Sequence, residues 1–449
     1  MKVVLIGYRG TGKTVVGRLL ARRLGLPFID TDAATEGRAG MSIPAIFERL
    51  GEEAFRAIER SVIAGLADEE GVISTGGGAV LDPANVAALR RGGTVVLLHA
   101  PASVIAERIA GSDRPPLTAL PPDEEIREVL AIRRPYYLRA ADICVDTAAL
   151  TPGEVAEAVL DHLHASGRDI GILDGFSMPS GERKRLASLP APTRLFGIAG
   201  HPVLHSRSPE LWNALFAECG LDAHYTFLGH PDFSAVLDAA VGLGVQGLSV
   251  TIPHKESALN AADRADPHAE AIGAANTLLI RCGMCCASNT DWIGVRRPLD
   301  GVLPGRAVVL GAGGAAAAAV YALLDLGCEV TVLARNPEQS RALAGRFGCD
   351  SGTMQQFGVI RPEIVIHATP VGMGGDPGSL LSPADLLPSM TVFDLVYTPA
   401  ETPLLRIAAE LGCRTISGTG MFVYQACEQF LHMTGIRVLP ERVREVLGV

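Results

Sequence analysis

The chain has 449 residues, of which 48% are hydrophobic and 20% charged, and its formal net charge is −10. This length is too great for one hydrophobic core and predicts two to four domains. The negative charge argues against a nucleic-acid partner, and no apolar run is long enough to span a membrane, so we expect a cytoplasmic protein that holds anionic ligands in local clusters.

The first predicted elements are a strand, a loop and a helix. The apolar run 3–6 leads directly into GYRGTGKT at residues 7–14, and a helical pattern follows. Backbone N–H groups of such a loop curl around a polyphosphate, while the lysine adds a charge and the threonine hydroxyl can ligate Mg²⁺. A plain flexible turn would leave the lysine unexplained. The predicted nucleotide contacts are Gly10, Gly12, Lys13 and Thr14.

A short strand at 27–29 then delivers two acidic residues, Asp30 and Asp32. Carboxylates one residue apart at a strand end can take different roles, one facing a Mg²⁺ shell and the other a phosphoryl acceptor. Because aspartate also suits helix N-caps and turns, a purely structural role stays open.

Arginines and glycines follow in the same part of the chain. Arg56 lies in a predicted helix with the string FRAIE, and the strand 71–74 runs into three glycines at 76–78. Consecutive glycines let bare backbone amides approach a ligand, although a plain turn is the simpler alternative. Further along, Arg114 lies in the segment DRPPL and Arg133 opens RRPYY.

Residues 1 to about 165 resemble shikimate kinase through the phosphate loop, DTD, FRxxE, GGG, the RP lid segment and RxPxY, in the family's order. The resemblance implies a P-loop kinase domain with a parallel sheet, similar to nucleoside monophosphate kinases, that transfers the γ-phosphoryl group of ATP to the 3-hydroxyl of shikimate. The resemblance implies that Lys13 and Thr14 bind phosphate and Mg²⁺, that Asp30 lies near the metal and contacts it through water, and that Asp32 orients the hydroxyl. It also implies that Arg56 and Arg133 bind the carboxylate and that Gly77 and Gly78 close the pocket. Arg114 would neutralise charge on the transferring phosphoryl group.

The neighbouring Arg134 is a second candidate for the carboxylate, although the register to Pro135 and Tyr137 favours Arg133. Beyond this domain, periodicity fades, and residues 166–192 are predicted to form a linker. The basic string at 180–185 could bind an anion, but a solvated tether is the favoured interpretation.

A new strand at 194–199 leads to HSRSP, where Ser206 and Ser208 can direct both hydroxyls to one side. Ser208 could instead cap the following helix. After another strand, Lys255 follows a proline, and the strings GAANT and NTD add amides and Asp291. Together these residues predict a pocket for a polyhydroxylated ring, with Lys255 and Asp291 as its acid/base pair.

The strand 307–310 opens GAGGAA, a dinucleotide fingerprint in which Ala316 replaces the third glycine. Arg335 ends the next strand, where an NAD enzyme would carry an acid, and a cation there suits the 2′-phosphate of NADP. An outward-pointing arginine is the alternative. The predicted cofactor contacts are Gly311, Ala312, Gly313, Gly314, Ala315 and Arg335.

Residues from about 193 onward resemble shikimate dehydrogenase through HSxSP, SVTIPHK, GAANT, NTD, GAGGAA, ATPVGM, VYTP and GMFVYQA. The resemblance implies an α/β substrate-binding domain at 193–295, a Rossmann NADP domain at 296–420 and C-terminal helices at 421–449 that return to the substrate domain. The roles it implies are carboxylate binding by Ser206 and Ser208, hydrogen bonds to ring hydroxyls from Thr251, Asn276, Asp291 and Gln425, a place beside the substrate for Tyr397, and proton movement by Lys255 with Asp291.

Three residues depart from the family pattern: Arg207, Ser249 and Tyr424. Tyr424 stands where the family usually has a small residue, which leaves the shape of the pocket open.

These interpretations combine into a bifunctional enzyme for consecutive steps of chorismate and aromatic amino acid biosynthesis. One half would reduce 3-dehydroshikimate to shikimate with NADPH, and the other would phosphorylate shikimate with ATP and Mg²⁺. The expected partners are therefore small molecules, and the oligomeric state stays open. Two alternatives remain: a dehydrogenase acting on quinate or shikimate with NAD, and a half that has become a ligand-sensing module.

The nine cysteines fit reduced thiols better than a disulfide framework. Cys282, Cys285 and Cys286 could suggest zinc, but no second pair follows at finger spacing. A reduced hairpin turn is the favoured interpretation.

Overall fold

A computed structural model describes residues 1–110, 120–164, 168–190 and 193–449. Contacts divide these residues into two compact units. The first unit consists of Met1–Leu248, Leu279–Met284 and Phe430–Arg437, and the second of Ser249–Leu278, Cys285–Gln429 and Val438–Val449.

The first unit begins with a five-stranded parallel sheet in the order β2-β3-β1-β4-β5. Its strands and flanking helices are β1 Lys2–Ile6, α1 Lys13–Leu24, β2 Phe28–Asp30, α2 Thr31–Ala39, α3 Ile43–Gly65, β3 Gly71–Ser74, α4 Pro83–Arg90, β4 Gly93–His99, α5 Ala102–Ile109, α6 Pro122–Ala140, β5 Ile143–Asp146 and α7 Pro152–His164. The central β1 is buried along its whole length, as a strand covered on both faces must be. Because the strands are parallel, the residues that follow β1, β2 and β3 meet at one edge of the sheet.

The segment expected to be a solvated tether is instead packed where the structure describes it. Leu173 and Leu186 are fully buried, the latter on α8 Glu182–Ser188. The Glu182 carboxylate accepts hydrogen bonds from Thr226 Oγ1 at 2.8 Å and contacts His224 Nε2 at 2.7 Å. The prediction of a tether was wrong because a few apolar and acidic side chains, too sparse to show periodicity, have buried partners.

The next elements are β6 Arg194–Gly200, α9 Ser208–Glu218, β7 Ala223–Gly229, α10 Phe233–Gly242, β8 Val245–Val250, α11 Lys255–Asn260, β9 Arg264–Ala265, α12 Pro267–Ile272, β10 Thr277–Arg281, β11 Met284–Ser288 and α13 Asp291–Arg296. In the first unit, β6 pairs in parallel with β7 along its full length. In the second unit, β9 pairs in parallel with β11.

The second unit contains a six-stranded parallel sheet in the order β14-β13-β12-β15-β16-β17. Its elements and the helices after it are β12 Arg306–Leu310, α14 Gly314–Asp325, β13 Glu329–Leu333, α15 Pro337–Phe347, β14 Asp350–Gly352, α16 Phe357–Ile360, β15 Ile364–His367, β16 Thr391–Asp394, α17 Pro403–Glu410, β17 Arg414–Ser417, α18 Gly418–Thr434 and α19 Pro440–Leu447. The strand order reverses at β12, which makes this a doubly wound sheet with its switch point at the end of β12. The prediction of α/β folds with parallel sheets is confirmed.

One prediction about the cysteines was wrong. Cys144, on the edge strand β5, forms a disulfide with Cys282, which has a positive φ of 55° in the turn between β10 and β11. The hairpin turn itself was expected, but the two cysteines are 138 residues apart in the chain, and only the fold brings their Cα atoms to 5.3 Å.

Within the described ranges, none of the helices is both long and apolar enough to cross a bilayer. The same ranges contain no group of three or more histidine, cysteine or acidic side chains placed to hold a metal ion.

Candidate functional sites

The loop after β1 lines a cavity of about 420 Å³. Gly10 and Gly12 have φ values of 84° and 92°, which favour glycine, and Gly12 directly precedes α1. The first N–H groups of a helix have no partner within the helix and carry a partial positive charge, so this end of α1 is suited to phosphate. Lys13 Nζ donates to the carbonyls of Gly7 at 2.8 Å and Tyr8 at 2.9 Å, so its charge is held over the loop.

Thr14 and Asp30 meet in the same cavity. Thr14 Oγ1 donates to Asp30 Oδ2 at 3.2 Å, while Asp30 Oδ1 accepts from the Asp32 backbone N–H at 3.0 Å and so caps α2. The Asp30 carboxylate therefore makes both contacts: one oxygen caps α2, and the other accepts from Thr14. A hydroxyl and a carboxylate side by side are oxygen ligands of the type that Mg²⁺ prefers.

A second cavity, of about 800 Å³, adjoins the first. Three residues line both cavities: Arg9, Asp32 and Gly77. The Asp32 side chain therefore lies at the border between the phosphate-loop cavity and the larger one. This is the position required of a group that orients an acceptor hydroxyl towards a transferable phosphoryl group.

The three glycines after β3 each face a different polar side chain of the second cavity. A Cβ atom added to Gly76 would lie 2.7 Å from Asp32 Oδ1, and one added to Gly78 would lie 2.9 Å from both terminal nitrogens of Arg56. A Cβ atom on Gly77 would lie 3.5 Å from Arg133 Nη1. Glycine at 76 and 78 thus leaves the room that Asp32 and Arg56 occupy.

Arg56 is held in place by two acidic residues of its own helix. Its Nη1 contacts Glu59 Oε2 at 2.9 Å, and its Nη2 contacts Glu52 Oε1 at 3.1 Å. The Glu59 side chain is only 3% exposed. Burial raises the pKa of Glu59. The positive charge of Arg56 acts in the opposite direction, while the negative charge of Asp32 adds to the rise. Sequence reasoning missed Glu59, although its spacing of three residues from Arg56 on a helix was a usable signal.

The two neighbouring arginines of α6 point to different surroundings. Arg133 lines the larger cavity, whereas Arg134 Nη2 lies 2.9 Å from Met284 Sδ. One turn further on, the Tyr137 hydroxyl donates to the Gly77 carbonyl at 2.6 Å, and burial raises the pKa of Tyr137 to about 12. The structure therefore supports Arg133 over Arg134 as the residue that faces a ligand.

Sequence reasoning also missed two further cations at these cavities. Arg9 lines both of them and pairs with the buried Glu125. Arg108 lines the smaller one and donates from Nη1 to Thr147 Oγ1 at 2.8 Å. Arg114, expected to act from the lid segment, lies outside the described residues.

In the second unit, Lys255 and Asp291 form a close ion pair. Lys255 Nζ lies 2.5 Å from Asp291 Oδ2, and their side chains are 16% and 6% exposed. Lys255 is the first residue of α11 and Asp291 the first of α13, so both are held at helix starts. The predicted acid/base pair is thus assembled in one place.

Asn276 connects this pair to other predicted residues. Its Nδ2 donates to the second carboxylate oxygen of Asp291 at 2.8 Å and to Thr290 Oγ1 at 2.9 Å, and it lies 3.4 Å from Gln425 Oε1. The Asn289 side chain accepts from the Asp291 N–H at 3.0 Å. Amide and carboxylate groups fixed in this way present donors and acceptors suited to ring hydroxyls.

The dinucleotide loop follows β12 as predicted and reaches the ion pair. Gly311 has a φ of 122°, and a Cβ atom there would lie 2.8 Å from the Ala368 carbonyl oxygen. A Cβ atom on Gly313 would have no neighbour within 4 Å, which leaves its backbone open to a ligand. Gly314 starts α14 beside Lys255, whose Cδ would lie 3.5 Å from an added Cβ.

Ala312 lies in the same loop, and Ala315 is the second residue of α14. Arg335 is exposed and lies two residues after the end of β13. Thr251 follows the end of β8 and is partly buried. The Tyr397 ring stacks on Phe422, with ring centroids 4.9 Å apart.

Tyr424, the departure that left the pocket shape open, has the Arg444 guanidinium 5.8 Å from its ring centroid. Its ring thus contacts α19.

Ser206 and Ser208 lie in the first unit. Their hydroxyl oxygens are 3.1 Å apart, so both hydroxyls face one point. Ser206 Oγ also accepts from the Ser208 N–H at 3.2 Å. Ser208 is the first residue of α9, and the N-cap position before it belongs to Arg207, so Ser208 does not hold the capping position that the alternative gave it.

These features define a protein with two nucleotide-dependent sites, one of the P-loop kinase type and one of the dinucleotide-dependent dehydrogenase type. The family model for shikimate kinase matches residues 9–164. The models for the shikimate dehydrogenase substrate binding domain and the shikimate 5′-dehydrogenase C-terminal domain match residues 198–278 and 418–447. The chain belongs to the shikimate dehydrogenase family and carries a shikimate kinase domain ahead of that part.

Individual relatives agree with this assignment. The shikimate dehydrogenase (NADP(+)) of Oleidesulfovibrio alaskensis is 41% identical over 258 residues, which cover 56% of this chain and 92% of that protein. The crystal structure of the shikimate 5-dehydrogenase of Thermus thermophilus with NADP(H) and shikimate is 32% identical, with 56% of this chain and 98% of that chain covered and a TM-score of 0.53. The quinate dehydrogenase of Corynebacterium glutamicum in complex with NAD is 31% identical, with 57% and 99% covered and a TM-score of 0.53.

Proposed function

We propose that this chain catalyses two consecutive reactions on one small cyclic acid. In the first, 3-dehydroshikimate is reduced to shikimate with NADPH. In the second, the γ-phosphoryl group of ATP is transferred to the 3-hydroxyl of shikimate. The observation that carries the proposal is the same in both parts: the residue that would handle the reacting oxygen stands beside a nucleotide loop. Asp32 borders both kinase cavities, and Lys255 contacts the start of α14.

In the kinase part, Lys13 and the first N–H groups of α1 would hold the phosphates of ATP, and Thr14 with Asp30 would hold Mg²⁺. The ion would neutralise charge on the phosphates. Arg56 and Arg133 would bind the shikimate carboxylate, because a planar guanidinium matches a carboxylate with two parallel hydrogen bonds. Asp32 would then orient the acceptor hydroxyl.

The remaining kinase roles rest on the glycines and the lid. Gly78 leaves the space that Arg56 occupies, and Gly77 and Gly78 together would close the pocket. Arg114 would approach the transferring phosphoryl group from the lid segment. Since phosphoryl transfer depends on positioning and positive charge, this set of residues is sufficient without a covalent intermediate.

In the dehydrogenase part, Gly311, Gly313 and Gly314 would approach the pyrophosphate of NADPH, which supplies the hydride. Lys255 would give its proton to the carbonyl oxygen of the substrate, and Asp291 would hold the lysine in its charged form. Pairs of this type contribute about 10²- to 10⁴-fold in rate. Asn276 and Gln425 would bind ring hydroxyls, while Ser206 and Ser208 would bind the carboxylate.

The preference for NADPH rests on Arg335. An arginine at the end of the second strand of a dinucleotide fold can pair with the 2′-phosphate, where an acid would instead bind the 2′-hydroxyl of NAD. A second candidate function is the oxidation of quinate or shikimate with NAD⁺. It is favoured by the similarity to a quinate dehydrogenase in complex with NAD. Comparing 3-dehydroshikimate with NADPH against quinate with NAD⁺ separates the two.

The deciding experiment is a coupled assay that follows NADPH consumption and ADP release together. With 3-dehydroshikimate, NADPH, ATP and Mg²⁺, both signals should appear, and ADP release should begin only after NADPH consumption. Shikimate with ATP alone should release ADP. A purified, folded chain that consumes NADPH but never releases ADP would show that the kinase part is a ligand-binding module instead of an enzyme.

A further inference from the structure

An arginine from the dehydrogenase part of the chain caps the C-terminal end of a helix in the kinase part. Arg281 is the last residue of β10, between the two ranges that match dehydrogenase models, and it belongs to the first unit. Its side chain is buried. Arg281 Nη1 donates to the carbonyls of Leu138 at 3.0 Å and Arg139 at 2.8 Å, and it also contacts the Ala141 carbonyl.

These three carbonyls lie at the C-terminal end of α6. The last carbonyls of a helix have no partner within the helix, and the helix dipole places a partial negative charge there. A guanidinium that bonds three of them acts as a C-terminal cap. This cap comes from a residue 140 positions further along the chain than Ala141.

The capped helix carries Arg133, one of the two arginines that bind the shikimate carboxylate in the proposed function. Arg133 lines the larger cavity, and the Tyr137 hydroxyl bonds the Gly77 carbonyl at 2.6 Å. Tyr137 stands one residue before Leu138, the first of the capped carbonyls. Any shift of the last turn of α6 therefore moves Tyr137 against the glycine loop that lines the larger cavity together with Arg133.

A proline makes this turn more dependent on its cap. Pro135 lies inside α6 between Arg133 and Tyr137 and has no N–H to bond the preceding turn. The helix is therefore weakened between the pocket residue Arg133 and the capped end. Fixing the end from outside compensates for the missing hydrogen bond.

The cap is enclosed by further charged residues of the first unit. Asp142 lies 2.9 Å from Arg90 Nη2 and 2.6 Å from Arg194 Nε. Arg194 Nη2 donates to the Gly93 carbonyl at 2.7 Å, and Arg90 contacts the Thr434 carbonyl. One arginine from the kinase part and one from the dehydrogenase part thus share a buried carboxylate, and each also contacts a backbone carbonyl of the other part.

We propose that Arg281 is a positioning residue for the kinase site: by capping α6 it fixes Arg133 and Tyr137, so that the dehydrogenase part of the chain sets the affinity of the kinase for shikimate. This inference rests on the proposed kinase function. It names no new contact with the substrate, because Arg281 acts through the helix.

The test uses the full-length chain with three variants. Arg281→Met removes the donors but keeps a side chain of similar length, and Arg281→Lys keeps a charge and fewer donors. Arg297→Met is the matched control, because Arg297 is an arginine of the dehydrogenase part with a 61% exposed side chain. For each protein, the kinase KM for shikimate, the KM for ATP and kcat are measured, together with amide hydrogen exchange of residues 136–141.

For Arg281→Met we expect the shikimate KM to rise about 3- to 30-fold, which corresponds to the loss of one buried charge–helix contact, while the ATP KM stays unchanged. Amide hydrogen exchange of residues 136–141 should become faster than in the wild type, while exchange in α1 should not change. Arg281→Lys should lie between wild type and Arg281→Met, and Arg297→Met should equal wild type. If Arg281→Met does not fold, Arg281→Lys decides with the same measurements.

An unchanged shikimate KM in a folded Arg281→Met or Arg281→Lys protein overturns the inference. Equal rises of the KM for shikimate and for ATP also overturn it, because they would report general loosening of the domain. A wild-type chain that does not phosphorylate shikimate refutes the proposed kinase function itself. The two failures are therefore distinguishable.

Discussion

Replacing Arg56 by alanine tests the carboxylate site of the kinase most directly. The substitution removes the guanidinium that is proposed to bind the shikimate carboxylate. The phosphate loop and Asp30 line the other cavity and would be unaffected. We therefore expect the KM for shikimate to rise and the KM for ATP to stay close to that of the wild type.

The size of the effect follows from the surroundings of Arg56. A hydrogen bond to a charged group contributes about 1.5–3 kcal/mol. The Arg56 side chain is 28% exposed and already shared between Glu52 and Glu59, so part of its charge is compensated. This places the loss near the lower end, about 1.5–2 kcal/mol, which corresponds to an increase of about 10- to 30-fold in the shikimate KM.

Steady-state kinase assays with each substrate varied in turn provide the measurement. Arg60→Ala is the control, because Arg60 lies on the same helix with a 55% exposed side chain that pairs with Asp82. Both KM values of this control should match those of the wild type.

A double variant, Arg56→Ala with Glu59→Gln, checks a different cause. Arg56→Ala alone leaves the buried Glu59 without its cation, and an unpaired carboxylate could repel the substrate. If the double variant recovers the wild-type shikimate KM, the loss came from Glu59 and the reasoning about Arg56 is refuted. An equal rise in the ATP KM would refute it as well.

Three further predictions concern other parts of the chain. Lys255→Met should lower the dehydrogenase kcat about 10²- to 10⁴-fold without changing NADPH affinity measured by fluorescence, and retained turnover would remove Lys255 from the proton path. Asp142→Asn leaves buried arginines without their carboxylate and should destabilise the first unit by about 3–5 kcal/mol, seen as a lower melting temperature. Burial alone would raise the pKa of Asp142, but Arg194 and Arg90 hold this pKa below its ordinary value of 3.8. The contribution of Asp142 to the free energy of unfolding is therefore complete above that pH and is lost as the pH falls further. Asp142→Asn should flatten this acid limb of a stability–pH curve, and an unflattened limb would contradict the ion pairing assigned to Asp142. Gly311→Ala places a Cβ atom 2.8 Å from a carbonyl oxygen at a φ of 122° and should weaken NADPH binding while kinase activity is retained.

The fold and the local parts of both sites could be predicted from the sequence because their signals are local. The apolar run of β1 and the glycines of the phosphate loop occupy consecutive positions, so the strand, loop and helix follow from spacing alone. The same holds for the GAGGAA turn, where β12 begins one residue before the predicted strand and ends at the predicted residue, Leu310. Family resemblance then assigned roles that spacing could not supply.

The buried charge cluster could not be predicted because its signal is not local. Arg90, Asp142 and Arg281 are ordinary charged residues in the sequence, and charged residues are usually exposed. Arg90 and Asp142 are 52 positions apart, and Arg281 lies 140 positions from Ala141. Only the fold shows that these arginines gather around one buried carboxylate and bond backbone carbonyls away from water.

Glu59 is an intermediate case. It belongs to the FRxxE motif of the sequence, but the burial that makes it a support for Arg56 is a tertiary property. The disulfide between Cys144 and Cys282 was missed for the same reason as the charge cluster.

That disulfide has a practical consequence for anyone who cleaves the protein. Both sides of the join between the kinase and dehydrogenase parts lie inside the loop that Cys144 and Cys282 close. A protease that cuts once between these positions would therefore leave one covalent molecule, which migrates as two fragments on a denaturing gel only after a thiol reductant is added.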